Sequence, residues 1–275
     1  MRIVVPCPAK INTYLAVGAP DSRGYHPLRT VFLAVGLFDT LVVETGNEPG
    51  IFCDWPEFPA ENTISKTQRL LQEVVSLPPL RITLEKRIPS QAGLGGGSSD
   101  AAGLIRAAER LAPGRIPRAE LQAIAAAVGA DVPFFLVGGR ALGEGYGERL
   151  TPLPDQSLRS VLIALPNGVR CATAEMYARL DGTQATRNPL ETSAGLDVIS
   201  NDFLPVAPDE CKSLVEKLAS FGAESGLSGS GSAVFAYFDE DAGVTEALDA
   251  LVGLADVFVT RTLSRAESLA VEVQA

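Results

Sequence analysis

The run Pro89-Ser90-Gln91-Ala92-Gly93-Leu94-Gly95-Gly96-Gly97-Ser98-Ser99 carries residue types that hold an anion through backbone groups. Gly93, Gly95, Gly96 and Gly97 lack a Cβ, so this stretch can take positive φ and come close to a ligand. Ser98, Ser99 and Asp100 are N-cap residue types, and the helix formers of 101–111 follow them. A glycine loop that enters a helix N-terminus points unpaired N–H groups at one spot, which suits a phosphate. The same pattern also fits a plain surface loop before an ordinary helix. Two common phosphate loops are excluded. No lysine follows the glycines as a Walker A loop requires, and Ser98 stands where a dinucleotide fingerprint has its third glycine.

Charge and proton handling fall to Lys10 and Asp131. In 9–17, Lys10 and Asn12 alternate with Ile11 and Thr13, which brings both polar side chains to one face of a strand. Lysine is scarce in this chain: Lys10, Lys66, Lys86, Lys212 and Lys217 are all it has. Asp131 follows a helical stretch that ends at Gly129, and Val132, Pro133 and Phe134 come after it. A carboxylate there is disfavoured by the helix C-terminus and by desolvation unless a cation pairs with it. Lys10 is the candidate. A solvated edge-strand lysine and an aspartate in an Asx turn are the competing readings.

Ring recognition is the third chemistry. Tyr25 and His26, the only histidine, lie in the turn-rich loop Asp21-Ser22-Arg23-Gly24-Tyr25-His26-Pro27. Loop aromatics with hydrogen-bonding tips suit a flat heterocycle, by stacking and by edge contacts. Packing of the pair beneath its own turn is the alternative. No orienting partner for His26 is evident, which disfavours it as a general base. Thr173 and Tyr177 stand one helical turn apart on one face of a helix over 172–180.

The elements that must position these groups are mixed. Residues 3–5 read as a short strand that Pro6-Cys7-Pro8 breaks before a second strand over 9–17. Strands follow over 28–35, 41–43 and 80–88, the last feeding the glycine loop. Asn62 caps a helix reaching about residue 76, and Ser98 opens the helix that leaves the loop. Another helix covers 118–128, and 150–153 reads as the join between two lobes. Beyond it come a strand over 161–165 and Asn201-Asp202-Phe203. A second glycine-serine run, Gly226-Leu227-Ser228-Gly229-Ser230-Gly231-Ser232, then enters a strand. The order is α+β without a regular repeat.

Composition bounds the rest. The 275 residues suit one large domain or two moderate ones, with 46% hydrophobic and 20% charged residues. A formal net charge of −10 with no basic stripe argues against nucleic-acid binding. Four scattered cysteines fit a reducing compartment rather than a disulfide framework or zinc site. The longest apolar run, 31–38, is too short to span a membrane, so a soluble cytoplasmic protein is expected.

Five stretches in this order resemble the GHMP kinase superfamily, which includes galactokinase, homoserine kinase and mevalonate kinase. They are Pro8-Ala9-Lys10-Ile11-Asn12, Arg23-Gly24-Tyr25-His26, the run Gly93 to Asp100, Gly129-Ala130-Asp131-Val132-Pro133-Phe134 and Asn201-Asp202-Phe203. The match is closest to the branch that phosphorylates 4-diphosphocytidyl-2-C-methyl-D-erythritol in the non-mevalonate isoprenoid pathway. The resemblance implies a ribosomal-protein-like N-terminal lobe over 1–155 and a ferredoxin-like C-terminal lobe over 156–275, with the active site between them. It implies ATP and Mg²⁺ as cofactors, Lys10 and Asp131 as the catalytic pair, and Pro89 to Ser99 with Asn62 around ATP. It also implies Asn12, Tyr25, His26, Thr173 and Tyr177 around a cytidine diphosphate alcohol, the aromatics covering the cytosine ring. Small-molecule substrates, no nucleic-acid or membrane partner and a monomer or weak homodimer are expected. Another GHMP small-molecule kinase and a non-catalytic ligand-sensing relative are the alternatives.

Overall fold

The first strand, β1 (Arg2–Val17), runs unbroken for 16 residues in the computed structural model. The break expected at Pro6-Cys7-Pro8 is absent. Among the described residues, β1 pairs along its whole length with β2 (Leu28–Thr45), but its other edge carries strands only at residues 2–4 and 14–15. Pro6 and Pro8 therefore withhold N–H groups from an edge that has no strand to receive them. The 18-residue β2 likewise merges the runs expected at 28–35 and 41–43. Between Pro8 and Ala9 the register shifts. Cys7 packs with the helix-side core, whereas Ala9 and Ile11 pack into a core between two sheets. Lys10 and Asn12 alternate with Ala9 and Ile11, so they point away from that inter-sheet core.

The structure describes residues 1–46, 48–56, 58–183, 196–238 and 241–274. After β2 come β3 (Gly50–Cys53), α1 (Thr63–Val74), β4 (Leu80–Glu85), α2 (Gly96–Leu111), α3 (Arg118–Val128), α4 (Phe134–Val137), β5 (Arg140–Gly145) and β6 (Arg149–Leu153). The rest of the chain forms β7 (Ser160–Pro166), α5 (Thr173–Asp181), β8 (Ser200–Asn201), α6 (Asp209–Ala219), β9 (Glu224–Leu227) and β10 (Val234–Phe238). It ends with α7 (Asp241–Leu251), β11 (Ala255–Arg261), α8 (Arg265–Ser268) and β12 (Glu272–Gln274).

The first sheet runs β12-β1-β2-β4-β3, with β5 and then β6 added beside β2, and β8 beside β1. The second is an antiparallel sheet ordered β11-β7-β10-β9. Helices α1 to α4 cover the outer face of the first sheet, and α5 to α7 that of the second. Between the sheets, Ala9, Ile11, Leu33 and Val35 meet Val161, Ile163, Phe235 and Tyr237. This is an α+β fold of two lobes joined by a shared apolar layer. Each Val, Leu or Ile side chain fully buried there contributes about 1.5–3 kcal/mol.

Two local expectations change. The stretch 150–153 is part of β6, an edge strand paired with β5; Pro152 fits because that edge has no further partner among the described residues. Helix α2 begins at Gly96, two residues earlier than expected, with Gly95 in the left-handed region as its N-cap. Asp100 is then the fifth residue of the helix, too deep to cap it, and its carboxylate accepts from Lys86 instead.

Candidate active site

The glycine loop is clamped from two sides. Lys10 N donates to Leu94 O at 2.9 Å, which adds the loop to β1. Ala233 N donates to Ala92 O at 3.1 Å and Ser228 Oγ to Gly93 O at 2.9 Å, so the second glycine-serine run grips it from the other lobe. Gly93 has φ +76°, and a Cβ there would lie 2.2 Å from Ser228 O. Only glycine fits. The N–H groups of Gly96, Gly97 and Ser98, in the first turn of α2, have no intrahelical acceptor, which leaves them for an anion.

Above this loop lies a cavity of about 420 Å³, lined by every residue from Pro89 to Ser98 and by Asn62, Trp55, Phe58 and Lys86. Ser99 is buried beneath it. Asn62 is at the cavity as expected, yet its amide already serves α1: Oδ1 accepts from Ser65 N at 2.9 Å and Nδ2 donates to Pro59 O at 2.7 Å. It shapes the wall. Trp55 and Phe58 are additions, since their segment has no periodicity to flag them.

Lys10 and Asp131 come together. Lys10 Nζ stands 3.5 Å from Asp131 Oδ2, with the lysine side chain 4% exposed and the aspartate 34%. The ammonium also donates to Asn12 Oδ1 at 2.6 Å and lies 5.7 Å from the Phe32 ring centroid. Asn12 Nδ2 donates to Thr30 Oγ1 at 2.8 Å, and Thr30 donates to Tyr14 O at 2.7 Å. That chain fixes which end of the Asn12 amide faces Lys10. Asn201, from the Asn-Asp-Phe motif, donates to Gly229 O at 2.9 Å, holding the segment beside Lys10 Nζ. Lys10, Asn12, Thr30, Asp131 and Gly229 line a smaller cavity of about 160 Å³ with Thr173, Tyr177 and Phe203. Gly93 and Gly95 line both cavities, so the two meet at the glycine loop.

The aromatic candidates divide into two groups. His26 stacks on Tyr177 with centroids 4.9 Å apart, and the Tyr177 and Phe203 rings meet nearly perpendicular, also 4.9 Å apart. Contrary to expectation, His26 has orienting partners: Nδ1 is 2.8 Å from Gly18 O and Nε2 is 3.4 Å from Asp181 Oδ2. Burial, and secondarily the Asp131 charge, push the Tyr177 phenol up to about 12. Tyr25 is 62% exposed and stands outside the Lys10 cavity, edge-on to Tyr146. Asp21 organises that rim by accepting from Tyr146 Oη at 2.6 Å, Tyr25 N at 3.0 Å and Arg23 N at 2.8 Å. The Tyr146 hydroxyl and the Tyr25 amide hold the Asp21 carboxyl well below the usual carboxylate range. Thr173 Oγ1 lies 3.1 Å from Ser230 Oγ.

Under the loop, Lys86 bridges Asp39 and Asp100, at 2.8 Å from the latter. Asp39 also accepts from Ile88 N at 2.8 Å and from Arg87 N, which fixes the turn into the loop. Burial pushes the Asp100 carboxyl up to about 7, since Lys86 is shared with Asp39 and cannot fully offset the desolvation.

Residues 62–139 match the family described as GHMP kinases N terminal domain. The 4-diphosphocytidyl-2-C-methyl-D-erythritol kinase of Polaromonas naphthalenivorans is 36% identical over 88% of this chain and 88% of its own. The chain belongs to that kinase family. The Streptomyces avermitilis member is 34% identical over 90% of this chain and 91% of its own. A crystal structure of 4-(cytidine 5'-diphospho)-2C-methyl-D-erythritol kinase superposes with a TM-score of 0.80 at 33% identity, covering 94% of this chain and 98% of that one. Methanococcus jannaschii mevalonate kinase, at 16% identity and TM-score 0.71 over 95% of this chain and 98% of its own, shares the fold. This kinase is therefore an ATP-dependent small-molecule phosphotransferase with the GHMP fold. None of its described helices is long and apolar enough to cross a membrane.

Proposed function

We propose that this kinase transfers the γ-phosphoryl group of ATP to the tertiary 2-hydroxyl of 4-diphosphocytidyl-2-C-methyl-D-erythritol. The observation that carries the reading is the meeting of two cavities at Gly93 and Gly95, one built on the glycine loop and the other holding Lys10 and Asp131. The nucleotide's phosphates sit at the start of α2, and its base lies toward Trp55, Phe58 and Asn62. The acceptor alcohol enters the smaller cavity.

Phosphoryl transfer has a loose transition state, so the protein chiefly aligns reactants and stabilises charge. Asp131 accepts the hydroxyl proton or orients the hydroxyl in line. Lys10, aimed by Asn12, neutralises charge on the transferring group. When bound, Mg²⁺ would supply further charge neutralisation at the phosphates. Of the residues that line the nucleotide cavity, Ser98 would offer Mg²⁺ a hydroxyl oxygen. The cytosine ring lies against Tyr25 and the His26–Tyr177 stack. His26 Nε2, whose partner Asp181 is half exposed, is the ring nitrogen able to exchange that partner for the base.

A substrate panel tests this. ATP turnover with the cytidine diphosphate alcohol, mevalonate, phosphomevalonate and homoserine is expected to be fast with the first alone. Faster turnover with any of the others overturns the assignment.

A further inference from the structure

A third cleft, of about 310 Å³, lies at the far end of α2, between α2, α3 and the segment leading to β12. Arg106 is ten residues beyond Gly96, which places the cleft about 15 Å along the helix from the phosphate loop. Its lining has two characters. Ile105, Leu121, Leu136, Leu269 and Val271 are apolar, whereas Arg106, Arg110 and Arg118 bring three guanidinium groups against one carboxylate, Glu109. In a chain of net charge −10 this is a local excess of positive charge.

Arg106 is the telling member. It is 7% exposed, and its guanidinium donates only to main-chain carbonyls: Ser268 O at 3.1 Å, Ala270 O at 3.4 Å and Pro6 O at 3.2 Å. Its Nε is buried without a hydrogen-bond partner, and among the described residues no carboxylate pairs with it. A buried cation in that position is under-compensated, and burial pulls its pKa down. Arg110 and Arg118 are exposed at the mouth, with no ion pair among the described residues.

We propose that this cleft is a second ligand site, separate from the catalytic centre, for an amphiphilic anion: a phosphate-type head on a short apolar chain. The exposed guanidinium forks of Arg110 and Arg118 suit a phosphate, and Arg106, whose terminal nitrogens are committed to carbonyls, adds its buried charge beneath them. The five apolar side chains cover the chain. The volume is at the small end of ligand pockets, which limits the chain to a few carbons.

Isothermal titration calorimetry of the full chain, with the nucleotide cavity saturated by a non-hydrolysable ATP analogue, tests the proposal. Hexyl phosphate is the probe, with inorganic phosphate and hexanoate as comparisons. The site predicts binding of hexyl phosphate that is about tenfold tighter than either comparison, and about tenfold weaker in the Arg110→Ala/Arg118→Ala double variant. Both arginines are exposed, so the thermal melt of that variant should match the parent. Gln122→Glu, which puts an acid on the lining, should weaken binding in the same direction. No binding, or binding unchanged in these variants, overturns the site. Equal affinity for inorganic phosphate overturns the apolar subsite, and equal affinity for hexanoate overturns the head-group assignment.

Discussion

Gly93 and Ser228 interlock across the two lobes: Ser228 Oγ donates to Gly93 O at 2.9 Å, and a Cβ on Gly93 would strike Ser228 O at 2.2 Å. Gly93→Ala must therefore move one of the two loops as well as adopt a left-handed φ of +76°. Overpacking and strain of this kind typically cost about 1–3 kcal/mol. A lowered melting temperature and an ATP KM raised by about tenfold are the expected readouts. A melt and ATP KM equal to the parent's would show that the lobes are not joined through this contact.

Asn12 aims Lys10. Its Oδ1 holds the ammonium at 2.6 Å, and its amide is itself fixed by Thr30. Removing a hydrogen bond to a charged group costs about 1.5–3 kcal/mol, so Asn12→Leu should lower kcat by about tenfold or more. Steady-state kinetics should find the ATP KM within about twofold of the parent, because Asn12 does not line the nucleotide cavity.

Tyr25 is held on the rim by Asp21, Arg23 and Tyr146, where a planar base can stack on it. Loss of one aromatic–base stack is worth about 1–3 kcal/mol, so Tyr25→Ala should raise the KM for the cytidine substrate by about tenfold. The KM for ATP should not change. Equal losses for both substrates would make Tyr25 a structural residue.

Asp100 gives the fold a pH dependence. Burial raises its carboxyl from 3.8 to about 7, so the folded protein binds a proton that the unfolded chain releases at lower pH. Stability from this group is fully present below about pH 4 and is lost as pH rises through 7. Asp100→Asn should flatten that fall in melting temperature between pH 5 and 8. A slope identical to the parent's would assign the dependence to other groups.

Much of the site was legible because its chemistry is local in sequence. The glycine run, the Lys10/Asn12 alternation and the lone Tyr25-His26 pair each declare themselves through spacing. The pairing of Lys10 with Asp131 was inferable from the unfavourable placement of an unpaired carboxylate, and the structure brings the two within 3.5 Å. What was not legible depends on long-range packing. Pro6 and Pro8 signal a break, but the bare edge of β1 tolerates them. Trp55 and Phe58 lie in an aperiodic segment, and only the folded loop brings them over the glycines. The stacking of His26 on Tyr177 joins residues about 150 apart in a chain without a repeat to signal it.

The most direct test is single-turnover transfer of the γ-phosphoryl group to 4-diphosphocytidyl-2-C-methyl-D-erythritol by Asp131→Asn, with Lys10→Ala beside it. General acid–base help is worth about 10²–10⁴ in rate, so each variant should be slowed by that order while it binds ATP as the parent does. Transfer at the parental rate in either folded variant would contradict the account.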